Sequence, residues 1–112
     1  MTRYFGYVGI EPIGNLAQTA KILGEALGGL NFVQDHERKF DEFPAFVAVS
    51  DGIEYALLGV PDPSEDLRDE PSSDFELQAH PYGDVTGEKV DISTQLIERL
   101  ANDGRIRGWM LT

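Results

Sequence analysis

The chain has 112 residues, of which 41% are hydrophobic and 10% aromatic, and this composition predicts one packed domain spanning residues 1–112. Its formal net charge of −11 argues against a nucleic-acid-binding protein and against electrostatic attachment to anionic lipid, because both need clustered cations. The absence of cysteine excludes disulfides, thiolate metal sites and thiol nucleophiles. With no signal-peptide pattern and no apolar run near the roughly 20 residues of a membrane span, we expect a cytoplasmic protein.

The first third of the chain predicts a strand, a helix and a second, short strand. Residues 3–10 are rich in aromatic and branched side chains and favour a strand. Asn15 can cap a helix that Gly28-Gly29 ends, and its apolar side chains recur at helical spacing at Leu16, Ala20, Leu23 and Leu27. Gly24 weakens this helix by about 1 kcal/mol relative to alanine, so packing must hold it. Residues 30–34 predict the second strand.

A β-hairpin is the clearest local prediction. Residues 45–50 and 53–60 are almost wholly apolar, and only Asp51-Gly52 separates them. Asp-Gly tolerates the positive φ angles of a type I′ turn, whose twist matches antiparallel strands. Because both strands are apolar throughout, we expect them to be covered on both faces and to lie centrally in a sheet. A further strand at 39–43 is left open.

The last part of the chain predicts a strand, a helix and a final strand. Residues 74–80 alternate strictly, which is typical of a half-buried strand, and a turn follows at 81–84. Asp91 or Ser93 can cap a helix that ends at 102–104, and 106–111 can add a strand. The resulting fold class is α+β, a mostly antiparallel sheet with two helices on one face. The predicted core comprises Leu16, Leu23, Leu27, Val47, Val49, Leu57, Phe75, Leu77, Leu96 and Leu100.

Patterns that would indicate catalysis or cofactor binding are missing from the sequence. It has two histidines, and neither has the spacing of a metal-binding motif. His36 lies between two carboxylates in a charged stretch, and His80 lies on the polar side of its strand, so each is expected to be a surface side chain. Residues 62–67 fail as a calcium loop because Leu67 occupies the position where glycine is needed. We therefore predict no catalytic residues, no metal and no cofactor.

Charge is distributed unevenly along the chain. Residues 1–34 have a net charge of zero, whereas the acidic segment, residues 61–76, has seven carboxylates against Arg68 and a net charge of −6. Such a segment is either a solubilising loop or an anionic surface that attracts a basic partner. The second interpretation makes its carboxylates the candidate partner-binding residues: Asp62, Glu65, Asp66, Asp69, Glu70, Asp74 and Glu76.

The chain as a whole resembles bacterial toxin-immunity proteins, including those of contact-dependent growth inhibition systems. The features that carry the resemblance are its size, its acidity, Phe43-Pro44-Ala45 leading into the Asp51-Gly52 hairpin, and the acidic stretch 61–73. The resemblance implies a non-catalytic inhibitor that binds a cognate toxin domain with a basic surface, often a nuclease. It assigns no binding residue position by position.

Two alternatives belong to other functional classes. One is a small regulatory or ligand-binding α+β domain without a toxin partner, in which the acidic segment only confers solubility. The other is an enzyme that uses His36 or His80 together with a carboxylate, which would need a concave pocket holding that pair. The oligomeric state and the identity of the toxin do not follow from the sequence.

Overall fold

A computed structural model describes residues 3–34, 44–60, 74–82 and 87–111. The doubtful strand at 39–43 lies outside these residues. The two helices are α1 (Leu16–Ala26) and α2 (Ser93–Asp103). The strands are β1 (Arg3–Ile10), β2 (Val33–Gln34), β3 (Ala45–Ser50), β4 (Ile53–Leu58), β5 (Phe75–Pro81), β6 (Lys89–Asp91) and β7 (Gly108–Met110).

The described strands form one sheet in the order β2-β3-β4-β5-β1, and β6 and β7 share the far side of β1. β6 pairs in parallel with the first residues of β1, Arg3 to Phe5, and β7 pairs antiparallel with the last, Val8 to Ile10. All other pairings are antiparallel. The predicted α+β class and the mostly antiparallel sheet are confirmed.

Both helices cover the same face of the sheet. The register places Val8, Leu77 and Leu57 in one row across β1, β5 and β4, and this row is fully buried. The core around it includes side chains from both helices: Ala20, Leu23, Leu27, Leu96 and Leu100. The predicted arrangement of two helices on one face is therefore confirmed, and we call the opposite side of the sheet the open face.

Helix α1 begins and ends as its sequence predicts. The Asn15 side chain accepts a hydrogen bond from the Gln18 backbone N–H, and the Gln18 side chain accepts one from the Asn15 backbone N–H, which completes a capping box. Gly28 and Gly29 have φ angles of 88° and 93°, the left-handed conformation that glycine favours after a helix.

Helix α2 is joined to β1 through Ser93. The Ser93 hydroxyl accepts a hydrogen bond from the Tyr7 backbone N–H, and the buried side chain of Ser93 packs against Gly6. Ile92 occupies the N-cap position, yet the Asp91 carboxylate accepts a hydrogen bond from Ser93 N at 2.8 Å. Asp91 thus satisfies the first N–H of the helix, although it is not itself the cap residue. The helix ends at Gly104 in the left-handed conformation, as predicted.

The hairpin is confirmed down to its turn. β3 and β4 pair from Ala45–Leu58 to Ser50–Ile53, and Asp51 and Gly52 have φ angles of 52° and 75°. β4 is covered on both faces, but the prediction that Val49 belongs to the core is wrong, since it is 50% exposed. Val49 faces away from the helices, and β2 pairs with β3 only at Val47 and Phe46, so nothing described beside Val49 covers it.

Several element boundaries differ from their predictions. The strand expected at 30–34 is confined to Val33–Gln34, and the one expected at 106–111 to Gly108–Met110. β5 continues through Pro81, where a turn was expected, and β6 has no counterpart in the sequence pattern. Val47 is only partly buried, and it packs on the open face rather than beneath the helices.

Candidate functional site

Two of the seven predicted partner-binding residues lie within the described part of the chain. Asp74 is exposed immediately before β5, and Glu76 is half-buried on β5. The other five lie outside the described residues: Asp62, Glu65, Asp66, Asp69 and Glu70. Glu76 is therefore the predicted partner-binding residue whose surroundings on β5 are described below.

β5 separates core and open-face residues as its alternation predicts. Phe75, Leu77 and Ala79 are buried beneath the helices, while Glu76, Gln78 and His80 point to the open face. The Gln78 amide Nε2 donates a hydrogen bond to Glu76 Oε2, and Gln78 Oε1 lies 3.0 Å from His80 Nε2. These three side chains form a connected polar stripe along β5, which holds the Glu76 carboxylate in a defined place.

The open face is apolar on one side of this stripe. Ala45, Ala56 and Leu58 of β3 and β4 form a second buried cluster, with Val47 packed against it. Because these side chains are already buried, they are not available to a partner. The accessible part of the open face lies on the other side of the stripe, over β1 and β7.

Aromatic side chains occupy that accessible part. The Tyr7 ring is 39% exposed and meets the His80 ring edge-on, with ring centroids 5.7 Å apart. The Trp109 indole covers Gly9, since a Cβ at Gly9 would lie 2.2 Å from indole Nε1. Neither Tyr7 nor Trp109 was among the candidate site residues that the sequence pattern predicts. The alternation of β1, with Tyr7 and Gly9 on the side away from Val8, was the signal that could have placed Tyr7 here.

His80 is a surface residue of the polar stripe, as predicted, and its directly opposite neighbour on β4 is Glu54. His36 lies outside the described residues. No group of three or more potential metal ligands occurs among the residues that the structure describes. Within the described ranges, one surface groove of about 430 Å³ lies along α1 and another of about 400 Å³ lies between α2 and β7; His80 lines neither of these two.

Carboxylates elsewhere are tied to the fold. Asp103 accepts hydrogen bonds from Arg105, which lowers the pKa of the Asp103 carboxyl and raises the pKa of the Arg105 guanidinium. Arg105 also pairs with Glu25 of α1 at 2.8 Å. The side-chain and backbone donors of Ser93 lower the pKa of Asp91 in the same way. Glu76 differs from these residues, because no cation pairs with it within the described ranges.

The comparisons with known proteins return no relative. No protein-family model, no curated protein and no solved structure matches the chain. In the described ranges, no helix has both the length and the apolar character needed to cross a membrane.

Proposed function

We propose that this chain is a non-catalytic immunity protein, which binds and neutralises a cognate bacterial toxin domain through an acidic surface. The observation that supports the proposal is the charge of the acidic segment, which accounts for −6 of the net −11. This segment ends within β5, where its last carboxylate, Glu76, lies on the open face. An anionic surface of this kind accelerates encounter with a basic partner and disfavours partners of like charge.

A nuclease is the class of toxin that this charge fits best. Proteins that bind nucleic acid place cations along the phosphate backbone, so their substrate clefts are basic. A row of carboxylates can occupy such a cleft in place of phosphates. Inhibition of this kind needs no chemistry from the inhibitor, in agreement with a prediction that assigns no catalytic residue and no cofactor.

Co-expression tests this proposal. The proposal predicts that a gene next to this chain's gene encodes a toxin domain. That domain is produced in bacteria with and without the full chain, and growth and co-purification are measured. We expect the chain to restore growth and to purify in a stable complex with the toxin domain. A variant with His36→Gln and His80→Gln should protect to within a few-fold of the parent, because neither histidine performs chemistry.

Two outcomes would contradict the proposal. Failure of the folded chain to bind or protect would favour the regulatory or ligand-binding domain, in which the acidic segment only confers solubility. Loss of protection in a folded double-histidine variant that still binds the toxin would favour an enzyme. Circular dichroism of each variant separates these outcomes from misfolding.

A further inference from the structure

Glu76 belongs to a row of three residues that crosses the accessible part of the open face. The register places Glu76 on β5 directly opposite Gly9 on β1, and Gly9 directly opposite Trp109 on β7. Residues that are directly opposite in a sheet point to the same side. The middle position of this row has no side chain of its own.

The Trp109 indole fills that middle position. A Cβ at Gly9 would lie 2.2 Å from indole Nε1, 2.3 Å from Cε2 and 2.8 Å from Cζ2. The ring therefore lies over the backbone of β1, one strand closer to Glu76 than the Trp109 backbone is. Neighbouring strands are about 4.8 Å apart, so the indole and Glu76 are adjacent along the row.

Tyr7 is a second aromatic residue on this side of β1, at the edge of the row. It lies two residues before Gly9, and it is directly opposite Gln78. Glu76 and His80 are its two diagonal neighbours, and the Tyr7 ring meets the His80 ring. The hydrogen bond that Gln78 donates to Glu76 Oε2 limits the positions that the carboxylate can take.

We infer that Glu76 and Trp109 form a subsite for an arginine side chain of the basic partner. A guanidinium can pair with the carboxylate and stack on the indole face at the same time, which the compact ammonium of lysine does less well. An apolar side chain in the same place would desolvate Glu76 without compensation.

This inference rests on the proposed function, since it names the group by which a basic toxin engages the open face. It can nevertheless be tested without the toxin. Trp109 is the only tryptophan of the chain, so fluorescence excited selectively at tryptophan reports on this subsite alone. Synthetic hexa-arginine and hexa-lysine peptides carry the same side-chain charge and differ in the cationic group.

The experiment is a fluorescence titration of the full chain with each peptide at low salt. We expect hexa-arginine to change the Trp109 emission and to bind at least about 5-fold more tightly than hexa-lysine. Glu76→Gln should weaken hexa-arginine binding by about 10-fold. The matched control is Glu98→Gln, which removes one carboxylate from the exposed surface of α2 and should change binding by less than 2-fold.

Equal weakening by Glu76→Gln and Glu98→Gln, or equal affinity for both peptides, would overturn the subsite. Its failure is distinguishable from failure of the proposed function. If the Glu76→Gln variant binds the toxin as tightly as the parent does, the proposed function is supported and the subsite is contradicted. If hexa-arginine binding depends on Glu76 but the chain forms no complex with the toxin, the subsite is supported and the proposed function is contradicted.

Discussion

Gly24 shows how a single close contact reverses a helix propensity. Alanine is normally preferred to glycine inside a helix by about 1 kcal/mol. Here the chain folds back on α1, and the Gly24 carbonyl accepts hydrogen bonds from the N–H groups of Gly29 and Leu30. A Cβ at Gly24 would lie 2.2 Å from the Leu30 carbonyl oxygen, which is backbone and cannot rotate away.

We therefore expect Gly24→Ala to destabilise the protein by about 1–3 kcal/mol, as overpacking does. Urea unfolding followed by circular dichroism measures the effect. Lys21→Ala is the matched control, because Lys21 is exposed on the same helix and should alter stability by less than about 0.5 kcal/mol. A more stable Gly24→Ala variant would show that this close contact does not form.

Asp91 links the stability of the fold to pH. Hydrogen bonds from the side chain and backbone of Ser93 hold the pKa of the Asp91 carboxyl below its unfolded value of about 3.9. A carboxyl whose pKa is depressed by folding stabilises the folded state above the unfolded pKa, and that contribution is lost as pH falls through the folded pKa.

We expect Asp91→Asn to lower the free energy of unfolding at pH 7 and to match the parent at a pH below the folded pKa of Asp91. The measurement is urea unfolding at a series of pH values from 7 to 2. Glu88→Gln removes an exposed carboxylate nearby and is the control. A difference between Asp91→Asn and the parent that is constant across this range would contradict a role for the charge.

At the scale of the elements, α2 is held mainly by the leucines that it buries. Leu96 and Leu100 are 2% and 0% exposed and pack against the sheet. We expect Leu96→Ala to cost about 2–5 kcal/mol, the range observed for truncating a fully buried leucine. Thr94→Ala on the exposed side of α2 is the control. Equal melting temperatures of Leu96→Ala and the parent would show that α2 is not packed in this way.

Elements with a strong local signal could be predicted from the sequence, and those that depend on distant partners could not. The Asp51-Gly52 turn and the Asn15 cap are determined by a few adjacent residues. β6 has three residues, and its position is set by pairing with β1 almost 90 residues away. Val49 looks like a core residue by composition, but its exposure depends on how little of β3 the strand β2 covers.

The candidate site was predictable to a similar degree. The alternation of β5 places Glu76 on the side away from the core, as the structure confirms. The sequence does not predict that Trp109 and Glu76 share a row of the sheet, because that arrangement arises from two strand pairings and from the missing side chain at Gly9. A glycine in a strand often marks a close approach, yet it does not identify the approaching group.

At the scale of the whole molecule, charge is the property that most constrains a partner. The described residues have ten carboxylates and six cations. Several of these carboxylates form ion pairs with Arg105 or accept a hydrogen bond at the start of α2. The rest of the net charge of −11 belongs to the remainder of the chain, which includes most of the acidic segment. Like charges concentrated there repel each other, so their cost to folding favours a role in binding over one in stability.

The acidic segment should therefore control the rate of association with a basic toxin. Five carboxylates between Asp62 and Glu70 lie within nine residues of sequence, a spacing comparable with the Debye length of about 8 Å at physiological salt, so their potentials add. Replacing Asp66, Asp69 and Glu70 by serine should slow association by about 10-fold at low salt, with little change in dissociation. The defect should shrink as salt rises, because screening removes the attraction from the parent as well.

Stopped-flow association with a toxin domain that the chain binds in the co-expression experiment, at low and high salt, measures this effect. The matched control replaces the exposed Glu11, Glu88 and Glu98 by serine, which removes the same number of charges from other parts of the chain. If net charge alone mattered, both triple variants would associate equally slowly. If only the variant in the acidic segment associates more slowly, the location of the carboxylates matters. If that variant associates as fast as the parent at low salt, the segment is only a solubilising loop.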